Sequence, residues 1–186
     1  MKPITGSRSI YINRAPVLTL WAAVVAEQLG FRRDEALTLG RAVASLNAYS
    51  KGVSLGLFRP SPKSLKERRK KLMRGRRLKV DVLRRAVPVA RTPDGFRALS
   101  GGRPISPASV QRYLQGKFGD CLAPVRAAMR GLARSAPPKT LAARGYTLYV
   151  KFPPSVAAGV KGWGARGKLD LNLIRRLTKT SRSRNS

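Results

Sequence analysis

Between Arg59 and Arg85, thirteen side chains are lysine or arginine and only Glu67 and Asp81 are acidic, a local net charge of +11. Cations at that density do one kind of chemistry well. They neutralise phosphates and release the counterions condensed on a nucleic acid, so that binding weakens with salt. The candidate contacts in this run are Lys63, Lys66, Arg68, Arg69, Lys70, Lys71, Arg74, Arg76, Arg77, Arg84 and Arg85. Local order is written into its start. In Ser64-Leu65-Lys66-Glu67 the serine hydroxyl and the glutamate carboxylate can each take a backbone N–H of the other's residue, a capping box. A short helix from Leu65 to Met73, closed by Gly75, is therefore expected. The alternative is a charged helix or linker that faces only solvent.

Two further segments carry the same chemistry. In Ser106–Gly119 a serine N-cap and Pro107 open a helix whose early residues are small and polar, a pattern similar to the recognition helix of bacterial repressors. Ser109, Gln111, Arg112 and Gln115 are its candidate readers, and a capped structural helix is the competing reading. In Gly159–Gly167, Trp163 lies among glycines with Lys161 and Arg166 beside it. An aromatic flanked by cations can stack on a base or wedge into a groove. It can equally fold back as a core staple.

The missing residue types exclude more than the present ones prove. There is no histidine, which removes the commonest general base, the commonest metal ligand and every Ser-His or Cys-His arrangement. The single Cys121 excludes a zinc finger and an internal disulfide, and fits a reducing compartment. The eight acids are scattered apart from Asp34-Glu35, whereas a two-metal nuclease needs clustered carboxylates. No Walker-type phosphate loop is present, and Gly162–Gly167 lacks the βαβ context of a dinucleotide fingerprint. A non-enzyme without cofactor or metal is expected.

The totals point the same way. Over 186 residues, 39 Lys+Arg stand against 8 Asp+Glu, a net charge of +31 and a pI near 11.9. A GC-rich genome explains 26 Arg against 13 Lys, but it does not explain the scarcity of acids. Self-repulsion at that charge works against a compact monomer unless a polyanion is met. Nucleic acid is the expected polyanion. A membrane surface is not, because the most basic stretch has no aromatic face opposite its cations. With 42% hydrophobic residues the chain can build a core, and it has no run of 18 apolar residues. The apolar run Ala15–Ala26 after basic residues superficially resembles a signal peptide, yet Pro16 opens it and the pattern flows on into a second helix.

These segments need elements to hold them. Residues 1–12 read as an extended arm. Pro16 starts a first helix that is apolar on more than one face (Val17, Leu18, Leu20, Trp21, Val24, Val25, Leu29), so it is central. Gly30 is its expected C-cap residue and Asp34 the N-cap of the next helix, with Gly40 and Ala44 spaced for close helix approach. Lys51-Gly52 to Gly56 breaks the pattern. Leu78, Val80 and Val82 alternate as a strand. Val87, Val89 and Arg91 suggest a second strand, placed at an edge by Pro88, and Phe96–Leu99 a third after the Thr92–Gly95 turn. Helical spacing returns at Ser106. Gly116 to Gly119 ends that helix, Asp120 caps the next (Leu122, Val125, Met129, Leu132), Pro137-Pro138 opens another, and Asp170 caps the last.

The resulting expectation is an α+β, mainly helical fold: an N-terminal αα-hairpin (1–58), a basic connector (59–77), a small antiparallel β-meander (78–105), a C-terminal helical group (106–180) and a basic tail (181–186), together one compact unit. The segments Ile12–Trp21, Val110–Leu114 and Lys161–Gly164 resemble an uncharacterised bacterial protein family that carries no function to transfer. That resemblance implies a single bacterial fold in which the basicity is a variation. The functional expectation is a non-catalytic nucleic-acid-binding protein, cytoplasmic and associated with the nucleoid or a ribonucleoprotein, with DNA slightly favoured over RNA. The alternative is a structural or assembly protein of a ribonucleoprotein such as the ribosome.

Overall fold

The structure, a computed structural model, describes residues 9–54, 78–160 and 164–183. The chain begins with strand β1 (Ser9–Asn13) and passes directly into helix α1 (Arg14–Gln28). Every residue of α1 from Pro16 to Ala26 is buried, because α2 (Arg33–Ser54) and three later helices all pack on it. An all-round apolar sequence is the signature of such a central helix. Gly30, at φ +106°, closes α1 as expected. Its N–H reaches the Glu27 carbonyl, and the N–H of Phe31 reaches that of Ala26, a Schellman end. The approach of α2 to α1 is set by Gly40, where a β-carbon would stand 2.3 Å from the carbonyl oxygen of Thr19.

The start of α2 differs from expectation. Asp34 is not its cap: the helix already begins at Arg33, Asp34 lies in its first turn, and the Glu35 carboxylate turns back to accept the Arg32 N–H at 3.0 Å. The same carboxylate accepts the Phe96 N–H at 3.1 Å, and Thr38 Oγ1 accepts the Ala98 N–H at 3.0 Å. Helix α2 thus docks on the meander through side-chain acceptors. It also runs through Lys51-Gly52 to Ser54 rather than breaking there, and Leu46 on it is exposed.

The meander comprises β2 (Leu78–Val82), β3 (Arg85–Thr92), β4 (Gly95–Ser100) and the short β5 (Arg103–Pro104), in spatial order β2-β3-β4-β5. Strand β3 is therefore interior, not an edge as Pro88 implied. The hairpin closing at Val82↔Arg85 gives Arg85, Val87 and Val89 the hydrogen-bonded positions toward β2. The nitrogen of Pro88 then turns to the β4 side, where pairing has already ended at Val89↔Ala98, so no ladder bond is lost. The β2–β3 turn puts Leu83 and Arg84 at φ 49° and 62°, and Leu83 is buried while Arg84 is exposed.

The C-terminal part contains α3 (Pro107–Phe118), a single 3-10 turn (Gly119–Cys121), α4 (Leu122–Arg134), α5 (Pro138–Tyr149), strand β6 (Arg166–Asp170) and α6 (Leu171–Ser183). Ser106 caps α3, its hydroxyl accepting the Ser109 N–H at 3.3 Å. The helix passes Gly116 and ends at Phe118. Asp120 makes no cap bond to α4, because the 3-10 turn intervenes and Cys121 takes the N-cap position. Leu122, Val125, Met129 and Leu132 all face inward. Asp170 does cap α6, accepting the Asn172 N–H at 2.8 Å and that of Leu173 at 3.3 Å. That helix reaches into the residues read as a basic tail.

The N-terminal arm is a strand, not a free extension, from Ser9 onward. It pairs antiparallel with β6 from Ser9↔Asp170 to Asn13↔Arg166. Behind this ribbon, Trp21 meets Phe152 edge-on at 5.3 Å and donates its indole N–H to the Gly145 carbonyl at 2.9 Å. The fold is α+β and mainly helical, with a helical hairpin at its N-terminus. Among the described residues no helix is long and apolar enough to cross a membrane.

Candidate nucleic-acid interface

Helix α3 buries only Val110, Leu114 and Phe118, so the rest of its circumference stands as a ridge. Among the described residues, three open hollows lie along it. The largest, about 680 Å³, runs along α4 and is lined by Gln111 and Gln115 on one wall and Arg126, Arg130 and Arg134 on the other. A second, about 420 Å³, lies where the start of α3 meets α2 and β4, with Arg33 and Arg97 in its walls. The third, about 430 Å³, lies between α3 and the β1–β6 ribbon and holds Tyr11, Lys117 and Arg166. Among the described residues, seven cations thus line these hollows around one helix, against the two acids Asp34 and Asp120.

The α4 row follows from spacing. Residues four apart fall on one helix face, so Arg126, Arg130 and Arg134 form a stripe. Their surroundings differ. Arg134 is exposed, and Arg130 pairs with Glu27 at 3.0 Å. Arg126 is only 9% exposed. Its Nη2 donates to Gln111 Oε1 at 3.4 Å, its Nε makes no hydrogen bond, and the same Gln111 oxygen takes Nη2 of Arg33 at 3.4 Å. Burial, followed by the neighbouring charges of Arg33 and Arg130 and against the pull of Glu27, holds the Arg126 guanidinium below its ordinary pKa. Tyr113, on the far side of α3, has Arg41 over its ring at 4.4 Å; burial raises its hydroxyl pKa and Arg41 opposes that rise.

In the third hollow Tyr11 is 65% exposed. Arg166 Nη2 donates to the Tyr11 carbonyl at 3.0 Å, and Asn13 Nδ2 donates to the Gly164 carbonyl at 2.8 Å, fixing the floor beside an aromatic ring open to solvent.

Of the candidate readers, Gln111 and Gln115 line the first hollow and Ser109 is exposed near the start of α3; of the other residues read from sequence as contacts, Arg84, Arg85, Arg112 and Arg166 are described. Arg112 is exposed on the α3 ridge beside Gln115 and Gly116, and Arg166 lines the third hollow. Arg84 projects from the tip of the β2–β3 hairpin, whereas Arg85 is committed inward, its Nη2 bonded to Asn47 Oδ1 at 3.1 Å. Lys63, Lys66, Arg68, Arg69, Lys70, Lys71, Arg74, Arg76, Arg77, Lys161 and Trp163 lie outside the described residues, as does the Ser64–Glu67 capping box. Arg166 lines a hollow beside α3, Arg112 stands on α3 itself, and Arg84 lines none of the three hollows.

The repressor-like reading of α3 needs revision in one respect. A recognition helix is the second of two helices, but α3 follows strand β5. It is instead the first member of a helix, three-residue turn, helix succession, and α4 with its arginine stripe is the second. Arg33, Arg97, Lys117, Arg126, Arg130, Arg134 and Tyr11 escaped the sequence reading. The four-residue spacing on α4 was a usable signal; the others depend on chain segments meeting from a distance.

No group of three or more Cys, Asp or Glu side chains able to hold a metal ion occurs among the described residues. No family model, curated protein or solved structure matches this chain.

Proposed function

We propose that the protein is a non-catalytic nucleic-acid-binding protein that holds the phosphate backbone against the α3 ridge. The observation that carries this reading is the set of seven cations that, among the described residues, line three hollows around α3 in a chain of net charge +31. Phosphates are spaced closely enough along a strand to meet several such cations together, and each neutralised phosphate contributes to affinity by counterion release. Arg112, Arg130, Arg134, Lys117 and Arg166 supply the backbone contacts, and the open ring of Tyr11 supplies a surface on which an unpaired base can stack. The basic 59–85 segment adds charge to the same function. DNA is favoured slightly over RNA, and the protein acts at the nucleoid or within a ribonucleoprotein. Dispersed acids and the absence of histidine leave the chain without obvious groups for hydrolysis.

The test is a salt titration of duplex and single-stranded DNA and of RNA. Arg112, Lys117 and Arg134 are exposed, so replacing all three with alanine leaves the fold intact. The slope of log K against log salt should fall by about 0.9 per lost contact on duplex and about 0.7 on a single strand. An unchanged slope would remove the α3 ridge from the reading. Absence of binding to any nucleic acid in dilute buffer would remove the function itself.

A further inference from the structure

The Arg126 hollow asks for a more specific occupant than a passing backbone. We propose that the α3–α4 hollow is a discrete oxyanion site that takes a phosphate group, with Arg126 and Arg130 in its wall and Arg33 reaching the shared Gln111 from the adjoining hollow.

The argument begins with the cost of the arrangement. A guanidinium carries five N–H donors and keeps its charge, and burying a charge is expensive unless it is paired and hydrogen-bonded. Arg126 is nine-tenths buried, yet the neighbouring Glu27 carboxylate accepts its hydrogen bond from Arg130, and Asp120 in the hollow wall makes no bond to Arg126. What Arg126 does receive is a share of one neutral amide oxygen. Gln111 Oε1 stands 3.4 Å from Nη2 of Arg126 and 3.4 Å from Nη2 of Arg33, both at the long end of a hydrogen bond. Two guanidinium groups therefore converge on a single uncharged acceptor, and the Nε of Arg126 has none. A phosphate at the mouth of this arrangement offers several charged oxygens in place of one amide oxygen. The edge of a guanidinium matches two of those oxygens at once. The hollow, about 680 Å³, has room for such a group, and its wall carries Arg130 four residues on from Arg126.

Geometry also separates this site from the general basic surface. Arg112, Lys117 and Arg134 are exposed, hydrated and screened by salt. Arg126 is buried and much less screened, so its contribution should survive salt that abolishes the others. The site does not depend on the nucleic-acid reading: the phosphate it takes belongs either to a small phosphorylated ligand or to the end of a strand.

Inorganic phosphate and pyrophosphate, titrated into the full chain at 150 mM chloride, are the first probes, followed by phosphorus NMR and thermal unfolding. The wild type should bind pyrophosphate saturably, near one per chain, with a rise in melting temperature. Arg126→Met keeps the apolar stem and removes the charge. It should bind at least tenfold more weakly and, without phosphate, melt no lower than the wild type, because an uncompensated buried charge has gone. Arg126→Lys, which keeps the charge but loses the planar fork, should also bind weakly; it serves as the comparison should the methionine variant fail to fold. Equal responses in wild type and variants, or no saturable binding by the wild type, would overturn the site. So would a large fall in the melting temperature of both Arg126→Met and Arg126→Lys in phosphate-free buffer, since that marks a structural strut.

A short oligonucleotide with and without a 5′-phosphate distinguishes the source. Tighter wild-type binding of the phosphorylated strand, lost in Arg126→Met, identifies a strand end. Equal binding of both strands, with saturable pyrophosphate binding retained, identifies a small ligand. Absence of saturable pyrophosphate binding by the wild type, with its nucleic-acid binding intact, leaves the function standing and sinks only this inference.

Discussion

The junction of α2 with β4 and the hollow between α3 and α4 each bury a charge, and they complete it differently. Glu35 is enclosed by its own chain. It accepts N–H groups from Arg32 and Phe96 and has the Arg32 guanidinium 3.5 Å away, while Arg32 in turn donates to the Asp94 carbonyl. Arg126 has one long, shared bond to an amide. The carboxylate is satisfied from inside and fastens a helix to a sheet. The guanidinium is left to be completed from outside. Burial by itself does not reveal whether a charge is structural or functional; the origin of its partners does.

The largest expected effect belongs to the closed region. Gly40 has no room for a side chain: a β-carbon would lie 2.3 Å from Thr19 O and 2.9 Å from Ala23 N, both backbone atoms of α1. Gly40→Val should destabilise by about 3 kcal/mol or more, because two main chains must separate. Chemical denaturation measures this directly. A variant with the wild-type midpoint would mean that α1 and α2 are not held at this distance, and that the inner region yields as readily as the hollow.

This contact was legible in the sequence, since Gly40 and Ala44 stand four apart on an apolar helix and have few other roles. The α1–α2 hairpin, the meander and the inward faces of α4 and α5 were legible for the same reason: their signals are local periods of 3.6 or 2. Strand β6 was not. Arg166-Gly167-Lys168-Leu169-Asp170 has a glycine and two cations in five residues, and it becomes a strand only because β1, some 155 residues earlier, supplies its partner. The candidate site was legible in part. Arg112 and Arg166 were found by type and neighbourhood. Arg126 was passed over because arginine on an amphipathic helix reads as solvent-facing, and its burial arises from helices that the sequence does not place beside it.

A middle-sized effect tests whether Glu35 is as fully committed as its partners indicate. Burial alone would raise its pKa; the N–H groups of Phe96 and Arg32 and the Arg32 charge together outweigh that and lower it below the ordinary 4.5. A carboxyl whose folded pKa is depressed contributes stability above its unfolded pKa and loses it as the pH falls through the folded value. Stability from Glu35 should therefore be present above about pH 4.5 and decline below it. Glu35→Gln should cost about 1.5–3 kcal/mol at neutral pH, the range for hydrogen bonds to a charged group. It should also flatten the part of the acid limb that Glu35 owns. If the variant keeps both the midpoint and the acid limb of the wild type, the contrast between a closed anion and an open cation is lost.

The smallest effect separates a cation kept for the fold from one kept for a partner. Arg84 occupies the β2–β3 turn at φ 62°, a conformation that costs an L-residue roughly 1–2 kcal/mol and glycine almost nothing. Arg84→Gly relieves that strain, against about 0.4–1 kcal/mol for the greater freedom of the unfolded chain. Net stability should rise by about 0.5–1 kcal/mol. A position where arginine is the less stable choice invites a reason outside the fold. If Arg84 meets a phosphate, the same variant should lower the salt slope of duplex binding by about 0.9 while its denaturation midpoint increases. Opposite movements of stability and affinity would place the hairpin tip with Arg126 on the side of the molecule completed by a partner. A gain in stability with an unaltered slope would place it with Glu35, among the residues whose business is internal.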